Sequence, residues 1–416
     1  MTTSTGEAGG AGQPPEMSSQ ALAAGLALDQ SLPLHPLTYL EENGEVVVGR
    51  PDIDSYGVFP LDGAALVGQL AAGLPPAEAA RWYASTYGEN VDLAAFLGTL
   101  AELQFIGEAP ATAGRPLRWQ RLGRWMFSPA AWACYVIVIT AAAAEMIARP
   151  RLAPQPGNLI FTHYVTVLAL AVFLGQFPLI LLHESFHMLA GRRLGLRSSL
   201  RVGWRLYYLV FETTLDGLVA VPRRRRYLPM LAGMLLDLVV VAVLTLVAVA
   251  TVRPDGSVPL AGRVCLAFAF MTVLRFAWQF YAYLRTDLYY VVVTVLGCLD
   301  LQPAARLILD NRIRRLLHRP LADESALHPR DRSAGRWYSW LMLAGYAFSL
   351  ATLAAVAPAT WRILAITFDR FTRGGQSWGQ VADSVVFLSL SLAQIIVVVT
   401  LALRSRAQRG RASPTA

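Results

Sequence analysis

His183 and His187 lie four residues apart in an apolar stretch, and Glu184 directly follows the first histidine. Residues four apart share one face of a helix, so both imidazoles can reach a single Zn²⁺. Glu184 is close enough to take a proton from a water that the metal activates. The H-E-x-x-H pattern is short and also occurs by chance. Ionisable groups in an apolar span are costly, however, which favours a membrane-embedded zinc hydrolase over polar residues that merely meet the headgroups.

A catalytic zinc site needs a third protein ligand and an open position. Three aspartates lie within or beside the apolar runs that follow: Asp216, Asp237 and Asp287. Depth in the membrane does not choose between Asp237 and Asp287. Asp237 has two further readings: it could orient a ligating histidine or bind the substrate backbone, or it could pair with the arginines at 223–226.

The composition indicates a membrane protein. Of 416 residues, 55% are hydrophobic and 15% charged, with a mean hydropathy of +0.43, which is too apolar for an ordinary soluble enzyme. Six runs approach the roughly 20 residues that span a bilayer. They are Ala130–Ala148, Leu159–Leu182, Tyr227–Val252, Leu260–Leu284, Trp337–Val356 and Val381–Leu403. The predicted fold class is an all-α polytopic membrane protein with about six transmembrane helices.

Arginines indicate the orientation of these spans. They cluster before the first span, between the second and third, between the fourth and fifth, and after the sixth. The positive-inside rule then predicts cytoplasmic N- and C-termini and places His183 and His187 near the cytoplasmic leaflet. The net charge of +8 is explained by this bias, so we expect a lipid bilayer and no nucleic acid as a partner.

The residues before the first span predict a separate α+β domain that is winged-helix-like. Val46–Arg50 and Tyr56–Phe59 are typical of strands, and three short helices follow, over 62–70, from 75 to about 87–88, and over 91–103. The predicted organisation is a disordered leader (1–34), this domain (35–110), a basic linker (111–127), the membrane core (128–304), a cytoplasmic basic segment (305–336), the C-terminal spans (337–404) and a cytoplasmic tail (405–416).

A small membrane-surface β-hairpin is predicted between the second and third spans. Its strand-like runs are Tyr207–Phe211 and Leu218–Val221, around a turn at 212–217. Such a hairpin would offer an edge to an extended peptide, with Phe211 and Thr213 as contacts. The alternative is a surface loop whose arginines bind anionic lipid.

Three segments together resemble the site-2 protease family of membrane zinc metalloproteases, in its bacterial peptide zinc metalloprotease branch. They are the H-E-x-x-H segment, Ala232-Gly233 in the next span, and Asp287-Leu288-Tyr289-Tyr290 after the following one. The resemblance implies that His183, His187 and Asp287 bind zinc and that Glu184 is the general base and acid. It also makes Tyr289 and Tyr290, with Asp237, secondary candidates, and it implies a bacterial cytoplasmic membrane.

The chain departs from that family at three positions. Leu288 replaces a usual glycine, Met234 a usual proline, and Asp237 a common asparagine. Glycine after the ligand lets the backbone approach the metal closely, and we expect leucine to tighten or shift that turn.

The N-terminal domain resembles the PqqD-like peptide-recognition domains of ribosomal-peptide pathways. The similar features are the V-V-x-G-R strand, the Leu61–Ala64 turn and a closing helix from Val91 to Ile106. The resemblance implies that a leader peptide adds to the sheet edge, with Val46, Val47, Val48 and Phe59 as candidate contacts. The alternative is a small cap that stabilises the membrane part.

These observations predict a zinc metallopeptidase that hydrolyses a peptide bond near the cytoplasmic face, with a ribosomally made precursor peptide as substrate. One alternative is regulated cleavage of a membrane-anchored regulator. Another is a non-catalytic peptide-binding or immunity protein, favoured by Leu288 and Asp237 but opposed by the intact H-E-x-x-H segment. The oligomeric state is not indicated.

Overall fold

The computed structural model describes residues 28–42, 44–107, 117–205, 208–298, 300–325, 327–372 and 377–411. Two compact units divide the chain. The N-terminal unit consists of Met1–Pro116 and Asp216–Pro222, and the membrane unit consists of Leu117–Leu215 and Arg223–Ala416. Most of the predicted leader, at 1–27, lies outside the described residues, as do 108–116 of the domain end and linker and 412–416 of the tail.

The N-terminal unit is a three-stranded antiparallel sheet followed by three helices. The elements are β1 (Thr38–Glu42), β2 (Glu45–Arg50), β3 (Ser55–Pro60), α1 (Leu61–Ala71), α2 (Pro76–Tyr87) and α3 (Leu93–Glu102). The strand order is β1-β2-β3. The three helices and the two valine- and aromatic-rich strands are confirmed. Strand β1 was not predicted, because its Thr-Tyr-Leu-Glu-Glu sequence lacks the apolar content of a buried strand.

Apolar side chains from the sheet and all three helices form one core, in which Val48, Leu66 and Leu100 are fully buried. Leu32 is buried too, and Leu34 pairs with Ile106. The end of the predicted leader therefore belongs to the folded unit.

The second piece of the N-terminal unit begins with a turn. Gly217 has φ +83° and its N–H donates to Asp54 Oδ1 at 2.8 Å. A short 3-10 helix, Leu218–Ala220, follows. The predicted strand at Leu218–Val221 is thus wrong, because the left-handed glycine turns the chain out of the extended conformation.

Among the residues that the structure describes, the membrane unit contains six helices long and apolar enough to cross a bilayer, which confirms the predicted fold class. Its elements are α4 (Gln120–Met126), α5 (Pro129–Ala148), α6 (Val165–Arg193), β4 (Arg197–Arg205), β5 (Tyr208–Asp216), α7 (Arg223–Ala250), α8 (Leu260–Trp278), α9 (Asp287–Leu296), α10 (Leu301–Leu316), α11 (Pro329–Thr372) and α12 (Trp378–Arg411).

Several boundaries differ from the prediction. Helix α6 begins at Val165, after a 3-10 turn at Pro156–Leu159, and continues past the histidines to Arg193. Helix α8 ends at Trp278, six residues before the predicted Leu284. Helix α11 extends through Pro358 for 44 residues, well beyond the predicted Trp337–Val356. Helices α9 and α10 form a pair bent by 90°. Residue 304, where the membrane core was predicted to end, lies inside α10.

Helix α7 is central to the membrane unit and packs against α5, α6, α8 and α9. Small residues allow this close packing, since Ala232, Gly233, Ala242 and Ala248 are all buried. The elements that carry the histidines and Asp287 are therefore both fixed against one helix.

The hairpin between α6 and α7 exists, but its strands differ from the predicted ones. Strands β4 and β5 pair with each other, so residues 212–216 lie in β5 and not in a turn. The Ser199 and Thr214 hydroxyls lie 2.6 Å apart across the pair. A two-stranded sheet leaves both faces partly accessible, so the polar Glu-Thr-Thr run is compatible with a strand and was misread as a turn.

A buried ion pair holds the start of α6. The Asp383 carboxylate of α12 accepts the N–H groups of Val165 (2.6 Å) and Thr166 (2.9 Å). Arg370 of α11 pairs with Asp383 at 2.9 Å. The carboxylate thus satisfies two helix-terminal amides that lipid could not.

We predict that Tyr83→Phe destabilises the N-terminal unit by about 1 kcal/mol, because the Tyr83 hydroxyl donates to the Asp62 carboxylate. This hydrogen bond lowers the pKa of Asp62 and raises the pKa of Tyr83 to about 12. The contribution is full above the ordinary aspartate pKa of about 3.9 and is lost as pH falls through the lowered one. Hydrogen exchange of α1 and α2 in the full chain measures it.

Tyr87→Phe, at an exposed tyrosine one turn further along α2, is the control and should leave exchange unchanged. Equal exchange in Tyr83→Phe and the native protein at neutral pH would contradict the prediction.

Candidate metal centre

Helix α6 presents His183 and His187 on one face, both buried, with their Nε2 atoms 3.2 Å apart. The four-residue spacing causes this arrangement, since it brings successive turns of the helix into register. The predicted pairing of the two histidines is present.

Helix α7 provides the surface on which the two imidazoles rest. Pro229, Gly233 and Asp237 are also four apart and follow one another along a face of α7. The Pro229 carbonyl lies 2.7 Å from His187 Nδ1, and Asp237 Oδ2 lies 3.1 Å from His183 Nδ1. Between them, a Cβ added to Gly233 would lie 2.3 Å from His187 Nε2 and 2.4 Å from His183 Nε2. Only glycine leaves room for the rings.

These contacts determine which ring nitrogens carry protons. The Pro229 carbonyl can only accept a hydrogen bond, and so can the Asp237 carboxylate when ionised. His187 therefore holds its proton on Nδ1. His183 Nδ1 is not aligned for a hydrogen bond with Asp237, but the negative charge of Asp237 Oδ2 at 3.1 Å favours the same tautomer there. Both imidazoles then turn the lone pair of Nε2 inward. Backbone carbonyls and carboxylates support metal-ligating histidines in this way in many proteins.

Asp287 is the first residue of α9 and completes the cluster. Its Oδ2 lies 3.2 Å from Nε2 of each histidine. Gln279 holds the backbone here: its Oε1 accepts the Asp287 N–H at 3.0 Å, and its carbonyl accepts the Thr286 hydroxyl at 2.8 Å. The positive end of the α9 dipole also favours a carboxylate at this position.

His183, His187 and Asp287 thus form a buried cluster that can bind a metal ion. Their three donor atoms make a triangle with edges of 3.2 Å. Three lone-pair donors this close repel one another unless a proton or a cation lies between them. Edges of this size match three corners of a tetrahedron with bonds of about 2.0 Å, the distance typical of zinc with nitrogen and oxygen ligands. The donor set fits the ion.

Asp237 is fully buried and lies behind the cluster. It contacts His183 through Nδ1, on the opposite side of the ring from the triangle, and its ion pair is with Arg275 of α8 at 2.5 Å rather than with the arginines at 223–226. This geometry favours Asp287 over Asp237 as the third donor.

Glu184 contacts the hairpin. The Thr213 N–H donates to Glu184 Oε2 at 2.9 Å, and the Thr213 hydroxyl donates to the Glu184 carbonyl at 3.0 Å. Phe211, two residues earlier on β5, lies 6.4 Å from the Phe177 ring of α6. Strand β5 therefore runs beside the helix that carries the histidines, and both hairpin residues predicted as contacts lie there.

The other predicted candidates lie elsewhere. Tyr289 is buried in a core cluster with Leu301 and Tyr338, and its hydroxyl accepts the Gln302 N–H, whereas Tyr290 is exposed.

In the N-terminal unit, β2 is the central strand of the sheet. Its three valines are core residues, as is Phe59 of β3. The four predicted peptide contacts, Val46, Val47, Val48 and Phe59, are therefore all buried.

Leu288 is compatible with the site. It lies in the first turn of α9 and is not among the residues with positive φ, so the backbone does not require a glycine there.

Two supporting residues were not recognised from the sequence. Arg275 of α8 pairs with Asp237, and Gln279, the residue after α8, positions Asp287. Their four-residue spacing in an apolar run was the available signal, because polar side chains there need partners.

Comparison with known proteins gave no match to a family model, to a curated protein or to a solved structure.

We predict that Asp287→Ala loses bound zinc, whereas Asp237→Ala keeps it with affinity reduced by about 10–100-fold, as expected for a residue that only supports a ligand. Zinc content of the purified full chain, measured by elemental analysis after dialysis against graded chelator, distinguishes the two. Zinc lost only from Asp237→Ala would make Asp237 the ligand instead.

We also predict that Gly233→Ala abolishes zinc binding, because the added methyl group would occupy the space of both imidazole Nε2 atoms. Gly379→Ala in α12 is the matched control, since its nearest neighbour would be 3.9 Å away. The same zinc measurement applies, and full zinc content in Gly233→Ala would refute the close approach.

Proposed function

We propose that this protein is a membrane-embedded zinc metallopeptidase of the site-2 protease type. The observation that carries the proposal is the buried triangle of His183, His187 and Asp287 donor atoms, next to Glu184 on the same helix. His183, His187 and Asp287 hold the metal, which when bound supplies polarisation of a water and of the scissile carbonyl.

Glu184 is the proton carrier in this proposal. It takes a proton from the attacking water as the water oxygen bonds to the carbonyl carbon, and it delivers that proton to the amine nitrogen as the C–N bond breaks. The Thr213 N–H donates to Glu184 Oε2 and fixes the position of the carboxylate. Asp237 and the Pro229 carbonyl hold the two imidazoles in the required tautomer.

Strand β5 suggests how an extended substrate is held. Its Thr213 N–H already points at Glu184. A peptide that follows this edge would pass beside the proton carrier, and peptide bonds are accessible to a protease only in extended chains. Phe211 beside Phe177 adds an apolar contact for a side chain of such a peptide.

The N-terminal unit favours a precursor peptide as substrate. Its outer strands β1 and β3 carry exposed apolar side chains, Tyr39 and Val58. A leader segment would pair at one of these strands rather than touch the buried valines of β2. The arginine bias favours a cytoplasmic position for this unit, which supports a cytoplasmic, ribosomally made peptide as the substrate.

Glu184→Gln should slow hydrolysis of fluorescein-labelled casein by about 10²–10⁴-fold, because a neutral amide cannot carry the proton. The full chain in lipid nanodiscs is assayed by release of labelled peptide, and its zinc content should be unchanged. Ser185→Ala is the matched control, as its hydroxyl only donates to the Leu181 carbonyl of the same helix. Equal rates for Glu184→Gln and the native chain would exclude Glu184 as the proton carrier.

A further inference from the structure

Arg275 is a charged residue in the last turn of an apolar membrane-length helix. A cation at such depth is costly unless it is paired. The structure pairs it closely: Nη2 lies 2.5 Å from Asp237 Oδ1, and Nε lies 3.2 and 3.3 Å from the two carboxylate oxygens. The guanidinium thus binds both oxygens of one carboxylate, a geometry that lysine cannot reproduce.

A second partner fixes the other arm of the guanidinium. Arg275 Nη1 donates to Gln176 Oε1 at 3.1 Å. Gln176 is on α6, two helical turns before His183. Three helices are therefore linked through polar contacts that begin and end on α6, in the order Gln176, Arg275, Asp237, His183.

We propose that Arg275 is a positioning residue for the metal centre, acting through Asp237 on His183. It holds the Asp237 carboxylate 3.1 Å from His183 Nδ1, where the negative charge favours the proton on Nδ1 and keeps Nε2 directed at the metal position. It also balances the charge of a carboxylate with no exposure to solvent. The inference rests on the proposed metal centre but not on peptide hydrolysis.

The position of Asp237 distinguishes this role from simple cross-linking of helices. A cross-link would be complete with Arg275, Asp237 and Gln176 alone. Asp237 instead uses Oδ1 chiefly for Arg275 and brings Oδ2 to 3.1 Å from the ligating histidine. Removing Arg275 leaves a buried carboxylate without its counter-ion beside that histidine, which is more damaging than replacing both partners together.

The chain offers a matched control. Arg370 and Asp383 form a second ion pair, 2.9 Å long, with both side chains under 10% exposed (5% and 7%), at the start of α6. It too links helices, but its aspartate accepts backbone amides and no metal-binding residue. Arg370→Gln therefore removes an equivalent structural pair at the opposite end of the helix that carries the histidines.

The test uses the purified full chain in detergent, with Co²⁺ and Zn²⁺ as probes and a chromophoric chelator as competitor. We expect Arg275→Gln to lower metal affinity by about 10–100-fold and to alter the cobalt visible spectrum. Arg275→Lys should fall between Arg275→Gln and the native chain, and it serves if the glutamine variant does not fold. Arg370→Gln should lower the melting temperature but leave both the affinity and the spectrum native.

The double variant Asp237→Asn with Arg275→Gln is the most discriminating measurement. An asparagine oxygen still accepts from His183 Nδ1 and needs no counter-ion, so affinity should recover at least about tenfold over Arg275→Gln alone. Native affinity in both Arg275 variants, an equal loss in Arg370→Gln, or no recovery in the double variant overturns the inference. A native chain that binds neither metal overturns the proposed function itself, which is a separate outcome.

Discussion

The close contact between α6 and α7 at Gly233 is the constraint on which the site depends. Two histidines on one helix face a proline, a glycine and an aspartate on the other, each series advancing by four residues. Because glycine has no Cβ, the imidazoles lie directly against the α7 backbone, and the proline carbonyl and the aspartate flank them on either side. The same contact fixes where α9 must bring Asp287. Helix packing thus determines the position of the candidate metal site, and the conformations of long side chains do not.

Two buried ion pairs of this bundle, Asp383 with Arg370 and Asp237 with Arg275, have different structural roles. Asp383 and Arg370 close the beginning of α6, where amides would otherwise lack partners. Asp237 and Arg275 lie near its functional end, where the carboxylate also serves a histidine. Lipid offers no hydrogen bonds to either, so each aspartate is useful only with its arginine in place.

Local sequence spacing was sufficient for part of this architecture. The apolar runs gave the number of spans, and the histidine spacing gave the two donors on one face. The role of Asp237 could not be read in this way, because it depends on which side of an imidazole the carboxylate reaches, and that is decided by α7 packing against α6 and α8. The hairpin strands were misplaced because a polar Glu-Thr-Thr run resembles a turn until a partner strand is known. The end of α8 at Trp278 was also missed: Gln279, the next residue, binds the Asp287 amide through its side chain, a contact that no apolar pattern indicates.

The N-terminal unit is assembled from two pieces of chain, and this affects how it can be made. Its second piece, Asp216–Pro222, follows the first by roughly 100 residues that include two membrane helices. Ribosomes add about 5–20 residues per second, so the unit waits on the order of 5–20 s for its last segment. During that time Asp54 has no Gly217 amide to accept, and α5 and α6 are entering the bilayer. Completion of the N-terminal unit therefore waits for the synthesis of α5 and α6, although most of its sequence is synthesised first.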